Sequence, residues 1–480
     1  MDFKKIISDS QVATVRMAIS ILSTLLLIPV ITKYIGESEY GIWVTIIAIS
    51  SIFISLGGAH LHGALIRYKP KEAQEGQTLV DTLTIILASS IIVCLLFFII
   101  GLYSSIFNDI IIPENRLTSL AIVSSLIFTR LLLQFLSNYP RAREQVKIYD
   151  LLMTIKHLSD ITVLPITLFL TREIFLGIAS VTIVYLVLIL SILWYYYPDW
   201  RLYPNINNFK KYLKYGLPMI PKEMSGKVVS HSDKFIILVF LSPVEVAIYS
   251  VSYKVVSLFR SMSGVLNSTL YPSVTDAWES GEYQELSKLY EYIIYGYSLI
   301  GIPALAGLTI LAYPVLELLS TQNIADQGSV LVPILGFGFF IWGYENPLAY
   351  LLTADEDTDK IAVITIVTAI LNVILNLILI PVFGLIGAAI ATISSHILKT
   401  SYMFYICRNK VRISIPTTKI IKITISSVLM FSVLYILSDT VTGIRKLIAF
   451  PVIGISIYLI MLYSMGGIPI DQLKKQLPNS

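Results

Sequence analysis

The sequence predicts an all-α polytopic membrane protein, and three observations lead to that class. Mean hydropathy is +0.77, and 55% of the residues are hydrophobic while only 14% are charged. Soluble domains carry about 25% charged residues. Apolar segments of roughly 20 residues, long enough to cross a bilayer as helices, recur from Ser10 to Gly466. Backbone groups in lipid must bond internally, and these runs are too long for barrel strands, so the spans are predicted to be helices.

Charged and turn-forming residues divide the apolar runs into about fourteen predicted spans. The longest connection, 272–289, is acidic and predicts a helix on the membrane surface. The predicted spans are Ser10 to Ile35, Tyr40 to Ile66, Leu79 to Leu102, Leu117 to Ser137, Leu151 to Leu170, Ile174 to Tyr197, Tyr212 to Leu241, Val244 to Tyr271, Tyr290 to Leu311, Ser329 to Leu352, Ile361 to Val382, Gly384 to Ile406, Lys419 to Ser438 and Leu447 to Gly466.

The distribution of Lys and Arg predicts the orientation of these spans. With the amino terminus in the cytoplasm, the inner connections contain most of the basic residues outside the spans, as the positive-inside rule requires. Both termini are therefore expected on the cytoplasmic side of the cell membrane. The net charge of +4 is spread over the connections and predicts no nucleic-acid partner. The outer connections contain only Lys33, Arg116, Arg172, Arg445 and Lys446.

An internal repeat predicts the domain organisation. Residues 35–43 align with 241–249, and Lys4-Lys5 aligns with Lys210-Lys211. The repeat unit contains six spans, an even number, so the two copies enter the membrane in the same direction. The sequence therefore predicts an amino-terminal six-helix lobe (1–205), a second six-helix lobe related to it by pseudo-twofold symmetry (206–412), and two additional helices (413–480).

Four segments resemble a known family. They are Lys33-Tyr-Ile-Gly-Glu-Ser-Glu-Tyr-Gly-Ile-Trp43, Tyr215-Gly-Leu-Pro-Met-Ile-Pro221, Ser232-Asp-Lys-Phe-Ile-Ile237 with Glu245-Val-Ala-Ile-Tyr-Ser-Val-Ser-Tyr-Lys254 after it, and 371–392. Their order and spacing resemble the polysaccharide-unit (O-antigen, Wzx-type) flippases of the multidrug/oligosaccharidyl-lipid/polysaccharide exporter superfamily. Val246 and Ala247 depart from that pattern, where the family often has an aromatic residue and glycine.

The resemblance implies two lobes in a V around a central cavity, followed by two further helices. It implies translocation of a polyprenyl-diphosphate-linked oligosaccharide from the cytoplasmic to the outer leaflet by alternating access, driven by a gradient or a coupling ion such as a proton or sodium. The expected partners are therefore membrane lipid, this lipid-linked oligosaccharide, the coupling ion and polysaccharide polymerase machinery. No cofactor is expected.

Ionisable residues inside predicted spans are candidates for function, because a charge in lipid is unfavourable unless it faces a cavity or a partner. Most of them here are cationic, which suits a diphosphate cargo, since Arg offers phosphate a bidentate fork and Lys a point charge. Lys227, His231 and Lys234 share one helix face. Snorkelling to lipid phosphates is the alternative for Arg16 and Lys222. The predicted substrate-binding cations are Arg16, Arg130, Lys222, Lys227, His231, Lys234, Lys254 and Arg260.

Three acidic residues are candidates for binding a coupling ion or for neutralising nearby cations. Asp160 lies four residues after Lys156, which predicts an intrahelical pair. Asp233 precedes Lys234 and is a candidate for a structural role. Glu345 is a candidate proton or sodium site, although an ion pair with a cation such as Arg130 is favoured. His60 and His62 are interpreted as interfacial residues.

Other functions were weighed on the same residues. A lipid II flippase is a close alternative, and so is a multidrug exporter that couples to cations, although the first four spans contain Arg16 and Arg130 and no deep acid. A membrane enzyme acting on lipid-linked sugars is disfavoured because the outer connections are short and contain no nucleotide-binding or nucleophile motif. Cys94 and Cys407 lie in apolar runs and predict no metal site. The protein is therefore predicted not to be an enzyme.

Overall fold

The computed structural model is helical throughout the part of the chain that it describes. It describes residues 22–68, 76–104, 115–197, 202–257, 273–441 and 443–467, together with residues 19 and 271. Nine helices in these ranges are long and apolar enough to cross a membrane, and a bent pair brings the number to ten. The predicted class, an all-α polytopic membrane protein, is confirmed. The structure forms two compact units, Met1–Ala247 and Ile248–Ser480.

In the first unit, helices α2 and α5 occupy the centre. α2 packs against α4, α5 and α10, while α5 packs against α4 and α8, and α7 packs against α8. Buried side chains on α2 and α5 include Ile46, Ile49, Leu126 and Leu131. The helices of this unit are α1 (Leu22–Tyr34), α2 (Glu37–Gly58), α3 (Leu61–Tyr68), α4 (Gln77–Tyr103), α5 (Arg116–Leu136), α6 (Asn138–Ala142), α7 (Val146–Thr171), α8 (Ile174–Tyr195), α9 (Ile206–Gly216) and α10 (Ile220–Phe240).

Charge distinguishes α10 from the other long helices of this unit. It is 21 residues long, enough to cross about 30 Å of hydrocarbon. Its sequence nevertheless contains Lys222, Glu223, Lys227, Asp233 and Lys234, so it is not among the nine apolar helices. Charges at this density are tolerated in a membrane helix only where they face protein or a water-filled cavity. The local sequence therefore predicts that α10 carries a functional surface.

Close packing at Gly41 holds α2 against the start of α11 (Pro243–Val256). A Cβ atom at Gly41 would overlap the backbone carbonyl of Pro243. We expect Gly41→Ala to destabilise the protein by about 2 kcal/mol, because the neighbour is backbone and cannot rotate away. Gly58→Ala, on the same helix with open space around its Cβ position, should leave stability nearly unchanged. Thermal unfolding in detergent tests this pair, and equal midpoints for both variants would contradict the packing argument.

The second unit contains the remaining helices and the longest of them. α12 packs against α13, α14, α17 and α18, while α14 and α15 both pack against α16. α13 and the segment Leu331–Ala354 are bent by 58° relative to each other and are long and apolar enough to cross a membrane only when taken together. A short helix at 273–279 precedes them. The other helices are α12 (Tyr283–Leu319), α13 (Gln322–Gly328), α14 (Leu331–Trp342), α15 (Glu345–Ala354), α16 (Thr358–Arg408), α17 (Thr417–Ile436) and α18 (Ile444–Ser464).

Helix α16 contains two membrane spans separated at Gly384. Its 51 residues would extend about 75 Å as one straight helix, far beyond the roughly 30 Å of a bilayer core. Gly384 has φ 57° and ψ −135°, outside the helical region. A Cβ at Gly387 would overlap the backbone of Leu379, which a straight helix would hold more than two turns away. The chain therefore folds back here, in agreement with predicted spans that end at Val382 and begin at Gly384.

The last two helices belong to the second unit. Buried side chains of α17 and α18, among them Ile423, Met430, Phe450 and Leu462, form one apolar cluster. Side chains of α12, including Leu299 and Ile302, pack against it. The Tyr458 hydroxyl donates a hydrogen bond to the Leu299 carbonyl over 2.8 Å, which anchors α18 to α12.

Several predicted spans differ from the structure at their ends. The predicted second span continues to Ile66, whereas α2 ends at Gly58 and a new helix, α3, begins at Leu61. Ala59 and His60 between them have positive φ angles. Parts of the predicted first and eighth spans lie outside the described residues. The boundary between the two compact units falls within α11. The division predicted from the sequence repeat stays a prediction: two lobes, 1–205 and 206–412, followed by the segment 413–480.

Candidate functional site

The cationic residues predicted to share one face of α10 lie on successive turns of that helix. Lys234 is 6% exposed, and its Nζ donates to the Ser230 carbonyl oxygen over 3.1 Å. The same Nζ lies 3.5 Å from Nδ1 of His231, one turn earlier. Lys227, a further turn toward the amino terminus, is exposed, and its charge acts on His231 together with that of Lys234.

Arg130 on α5 joins this face from a second helix. Its charge acts on His231 and on Tyr185 of α8. Its buried Nη1 atom has no hydrogen-bond partner in the described part of the chain. Arg130, Lys227, His231 and Lys234 are hereafter the cationic cluster. A guanidinium nitrogen that is desolvated and unbonded is unfavourable, so an anion that reached it would gain a charge-assisted hydrogen bond.

Asp233 lies within the same stretch of α10 and is 1% exposed. Its Oδ1 accepts a hydrogen bond from the Lys234 backbone nitrogen over 2.8 Å, and its charge acts on Lys234. These contacts fit the structural role expected from its position next to a lysine.

Asp160 is held by contacts within its own region. Lys156 Nζ lies 2.9 Å from Asp160 Oδ2, the predicted intrahelical pair. The Tyr185 hydroxyl donates to Asp160 Oδ1 over 2.6 Å, and the Lys156 ammonium lies 5.2 Å from the Tyr185 ring centroid. Both carboxylate oxygens of Asp160 are therefore already bonded, which favours charge neutralisation over ion binding.

Glu345 forms the ion pair that its sequence position predicted, with different partners. It is 3% exposed, and its two oxygens lie 3.1 Å from His396 Nδ1 and 2.8 Å from Lys399 Nζ. The sequence suggested a cation such as Arg130; the contacts in the described structure are with His396 and Lys399 of α16, against which α15 packs. The partners come from a neighbouring helix of the same unit.

The other predicted cations are placed as follows. Lys254 lies partly buried on α11. The backbone of Lys222 lies on α10, but its side chain is outside the described structure. Arg16 and Arg260 also lie outside the described residues. The structure thus brings together Arg130, Lys227, His231 and Lys234 out of the eight predicted cations.

A polar group that sequence reasoning missed lies between α2 and α10. His60 Nδ1 and Glu223 Oε1 are in hydrogen-bond contact, and the His62 ring centroid lies 4.6 Å from that of His60. Burial lowers the pKa of His62, and so do the charges of His60 and Arg141, whereas the Glu223 carboxylate raises it. His60 and Glu223 are 163 residues apart, so no local sequence signal pairs them.

Aromatic and basic side chains surround the end of α3 in the same unit. The Arg67 guanidinium lies 5.0 Å from the Tyr215 ring centroid, and the Lys211 ammonium lies 4.3 Å from that of Tyr68. Cation–π contacts of this kind hold basic side chains at a protein surface without neutralising them. This end of the first unit therefore presents positive charge.

The second unit contains an apolar cavity of about 370 Å³. Tyr290, Tyr344, Phe404 and Ile420 line it, with Thr400 and Ser401 as its polar side chains. The lining is too apolar for a sugar headgroup, which needs several hydrogen-bonding partners.

Comparison with known proteins identifies the family. A family described as "Polysaccharide biosynthesis protein" matches residues 30–327, more than half of the chain. The probable low-salt glycan biosynthesis flippase Agl15 of Haloferax volcanii is 26% identical over 245 residues, which are 51% of this chain and 52% of that protein. The chain thus spans about half the length of this relative.

Two solved structures share the fold. The lipid II flippase MurJ in an inward closed conformation gives a TM-score of 0.75 at 16% identity, over 95% of this chain and 98% of that one. An inward-facing MATE-family multidrug resistance transporter of the MOP superfamily gives 0.66 at 15% identity, over 82% and 97%.

The fold is that of a polytopic membrane protein and is similar to those of the two solved structures. The chain belongs to the polysaccharide biosynthesis protein family. The resemblance identified from the sequence is thereby confirmed.

Proposed function

We propose that this protein is a flippase that moves a polyprenyl-diphosphate-linked oligosaccharide from the cytoplasmic to the outer leaflet of the cell membrane. Family membership and a relative described as a probable flippase support this function. The observation that carries it is the cationic cluster on α5 and α10, with its unbonded Arg130 nitrogen. A transporter of neutral or cationic cargo has no need for such a group.

Electrostatics explains why the cluster suits this cargo. A diphosphate carries two or more negative charges, and moving them into a region of low dielectric requires compensating cations. Arg130 supplies a planar fork for phosphate oxygens, and Lys227 supplies an ammonium on a flexible stem. Because Lys227 is exposed and Lys234 is buried, the cluster offers positive charge at successive depths along α10. The lipid tail stays in the bilayer.

The acidic residues have a supporting role in this proposal. Asp160 and Glu345 already neutralise nearby cations at 2.8–2.9 Å, and Asp233 acts on Lys234. Among them Glu345 is the candidate for coupling to a proton, since protonation would release His396 and Lys399 together. Both chain termini are proposed to lie in the cytoplasm, on the strength of the basic inner connections, and the polysaccharide polymerase machinery is proposed to receive the product.

Two other functions make different predictions. The MurJ-like fold supports a lipid II flippase, whose substrate shares the polyprenyl-diphosphate group and differs in its sugar. The MATE-like fold supports a multidrug exporter, which would take cationic drugs and would not need Arg130. An enzyme that acts on lipid-linked sugars would change the covalent structure of the donor, whereas a flippase returns it intact.

The function is tested in cells that lack the gene. Intact spheroplasts are treated with a membrane-impermeant glycosidase, and the lipid-linked oligosaccharide is extracted and analysed by mass spectrometry. We expect the unit to accumulate at unchanged mass and to be protected from the reagent, and the wild-type gene to restore its exposure. Equal exposure with and without the gene, or accumulation of a donor of altered length, would refute the proposal.

A further inference from the structure

His60, His62 and Glu223 lie together in the first unit although they come from two regions of the chain. One potential ligand atom from each residue lies within 4.8 Å of the other two. His60 already contacts Glu223 through Nδ1, and all three side chains are partly buried. The group is separate from the cationic cluster, although Glu223 lies in the first turn of the helix that carries Lys227.

The backbone around the group fixes its geometry. Ala59 and His60 have φ angles of 41° and 51°, so the chain turns sharply between α2 and α3. A Cβ at Gly216 would overlap the carbonyl oxygen of Ala59, so this turn lies directly against the end of α9. A Cβ at Gly63 would likewise overlap the His60 ring. The glycines at positions 216 and 63 therefore leave room for this turn and for the His60 ring.

The donor set defines the class of ligand. Two imidazole nitrogens and one carboxylate oxygen form the three-residue set found in zinc sites that keep one position open. Ligand atoms on a tetrahedral zinc ion lie about 3.5 Å apart, within reach of side chains already this close. Imidazole nitrogen favours transition metals, whereas Mg²⁺ and Ca²⁺ favour oxygen ligands.

We propose that His60, His62 and Glu223 bind a divalent transition-metal ion of the zinc type. Bound metal would join the turn between α2 and α3 to the amino-terminal end of α10. It would therefore stabilise the folded protein, because it binds the native arrangement and not the unfolded chain. The site is independent of the transported substrate, and its test does not depend on transport.

The test uses the full-length protein carrying no histidine tag, purified in detergent and freed of metal with a chelator. Zinc is titrated in competition with a chromophoric chelator, and thermal unfolding is followed with and without saturating zinc. We expect one zinc per chain and a higher unfolding midpoint in zinc. His60→Ala, His62→Gln and Glu223→Gln should each weaken binding at least tenfold and abolish the midpoint shift.

His157→Ala is the matched control, because His157 lies on α7 outside the group; it should bind zinc as the wild type does. His62→Gln keeps a polar side chain of similar size, so it remains informative where His60→Ala fails to fold. Cobalt(II) in place of zinc should give the visible absorption of a tetrahedral nitrogen and oxygen site. Two results would overturn the proposal. Equal zinc binding by the wild type and all three variants would mean an adventitious ion only. No zinc binding by the wild type would mean that the group is a hydrogen-bonded His60–Glu223 pair without a metal.

Discussion

Replacing Arg130 with Gln should reduce translocation of the lipid-linked oligosaccharide by about 10- to 100-fold. A hydrogen bond to a charged group contributes about 1.5–3 kcal/mol, and the variant loses both the charge and the fork geometry. Arg130→Lys should retain an intermediate rate, since it keeps the charge alone. The rate is measured on purified protein in liposomes, after confirming that each variant inserts in equal amount.

Arg172→Gln provides the matched control for this prediction. Arg172 is exposed at the end of α7, so the same substitution should leave the rate unchanged. A variant that combines Arg130→Gln with Lys234→Gln should be at least as slow as Arg130→Gln. Wild-type rates in both the single and the double variant would disprove the role of the cationic cluster while leaving the flippase function open.

Removing the Glu345 carboxylate should give the largest loss of stability. Glu345→Ala leaves His396 and Lys399 without their shared partner in a buried position, and breaking a buried ion pair in this way costs about 3–5 kcal/mol. The upper part of that range is not expected, because the Lys399 side chain is 22% exposed. Unfolding by titration with a denaturing detergent should report a decrease of roughly 3 kcal/mol.

A double-mutant cycle separates the pair from general damage. Lys399→Met should lower the free energy of unfolding less in the Glu345→Gln background than in the wild type. The Glu345 charge, which Lys399→Met would otherwise leave unpaired, is already absent in that background. The control is the pair between exposed Lys360 and partly buried Asp357, at 2.8 Å. Asp357 keeps Lys410 as a second partner, so Lys360→Met should change stability by less than about 0.5 kcal/mol. Additive effects of the two buried substitutions would show that Glu345 and Lys399 are not coupled.

Hydropathy predicted the membrane helices well because each helix must be apolar along its own sequence to lie in lipid, whatever its neighbours are. α17 and α18, at Thr417–Ile436 and Ile444–Ser464, lie within three residues of their predicted ends. The break after Gly58 was missed because the apolar pattern continues through Leu61, Ala64 and Leu65, which are buried in α3. The positive φ angles that end α2 are imposed by packing against α9, which no local pattern reveals.

Only those residues of the candidate site that share helix α10 could be predicted from the sequence to lie together. The spacing of Lys227, His231 and Lys234 was sufficient to place them on one face of α10. Arg130 was a candidate because of its depth in a span, but its proximity to His231 depends on how α5 packs in the bundle. Similarly, the charge of Glu345 predicted an ion pair, whereas its partners depend on the contact between α15 and α16.

The most direct test of the central claim is a translocation assay with purified components. The protein is reconstituted into liposomes that contain a fluorescent polyprenyl-diphosphate-linked oligosaccharide, and an impermeant reductant quenches the outer leaflet. Vesicles without protein should lose about half of the signal, since half of the lipid lies outside, whereas vesicles with protein should lose nearly all of it, with the lipid recovered at unchanged mass. The flippase function would be contradicted if quenching stopped at half in vesicles with and without protein, and if the protein took up a cationic quinolone-like drug at a rate that Arg130→Gln does not alter.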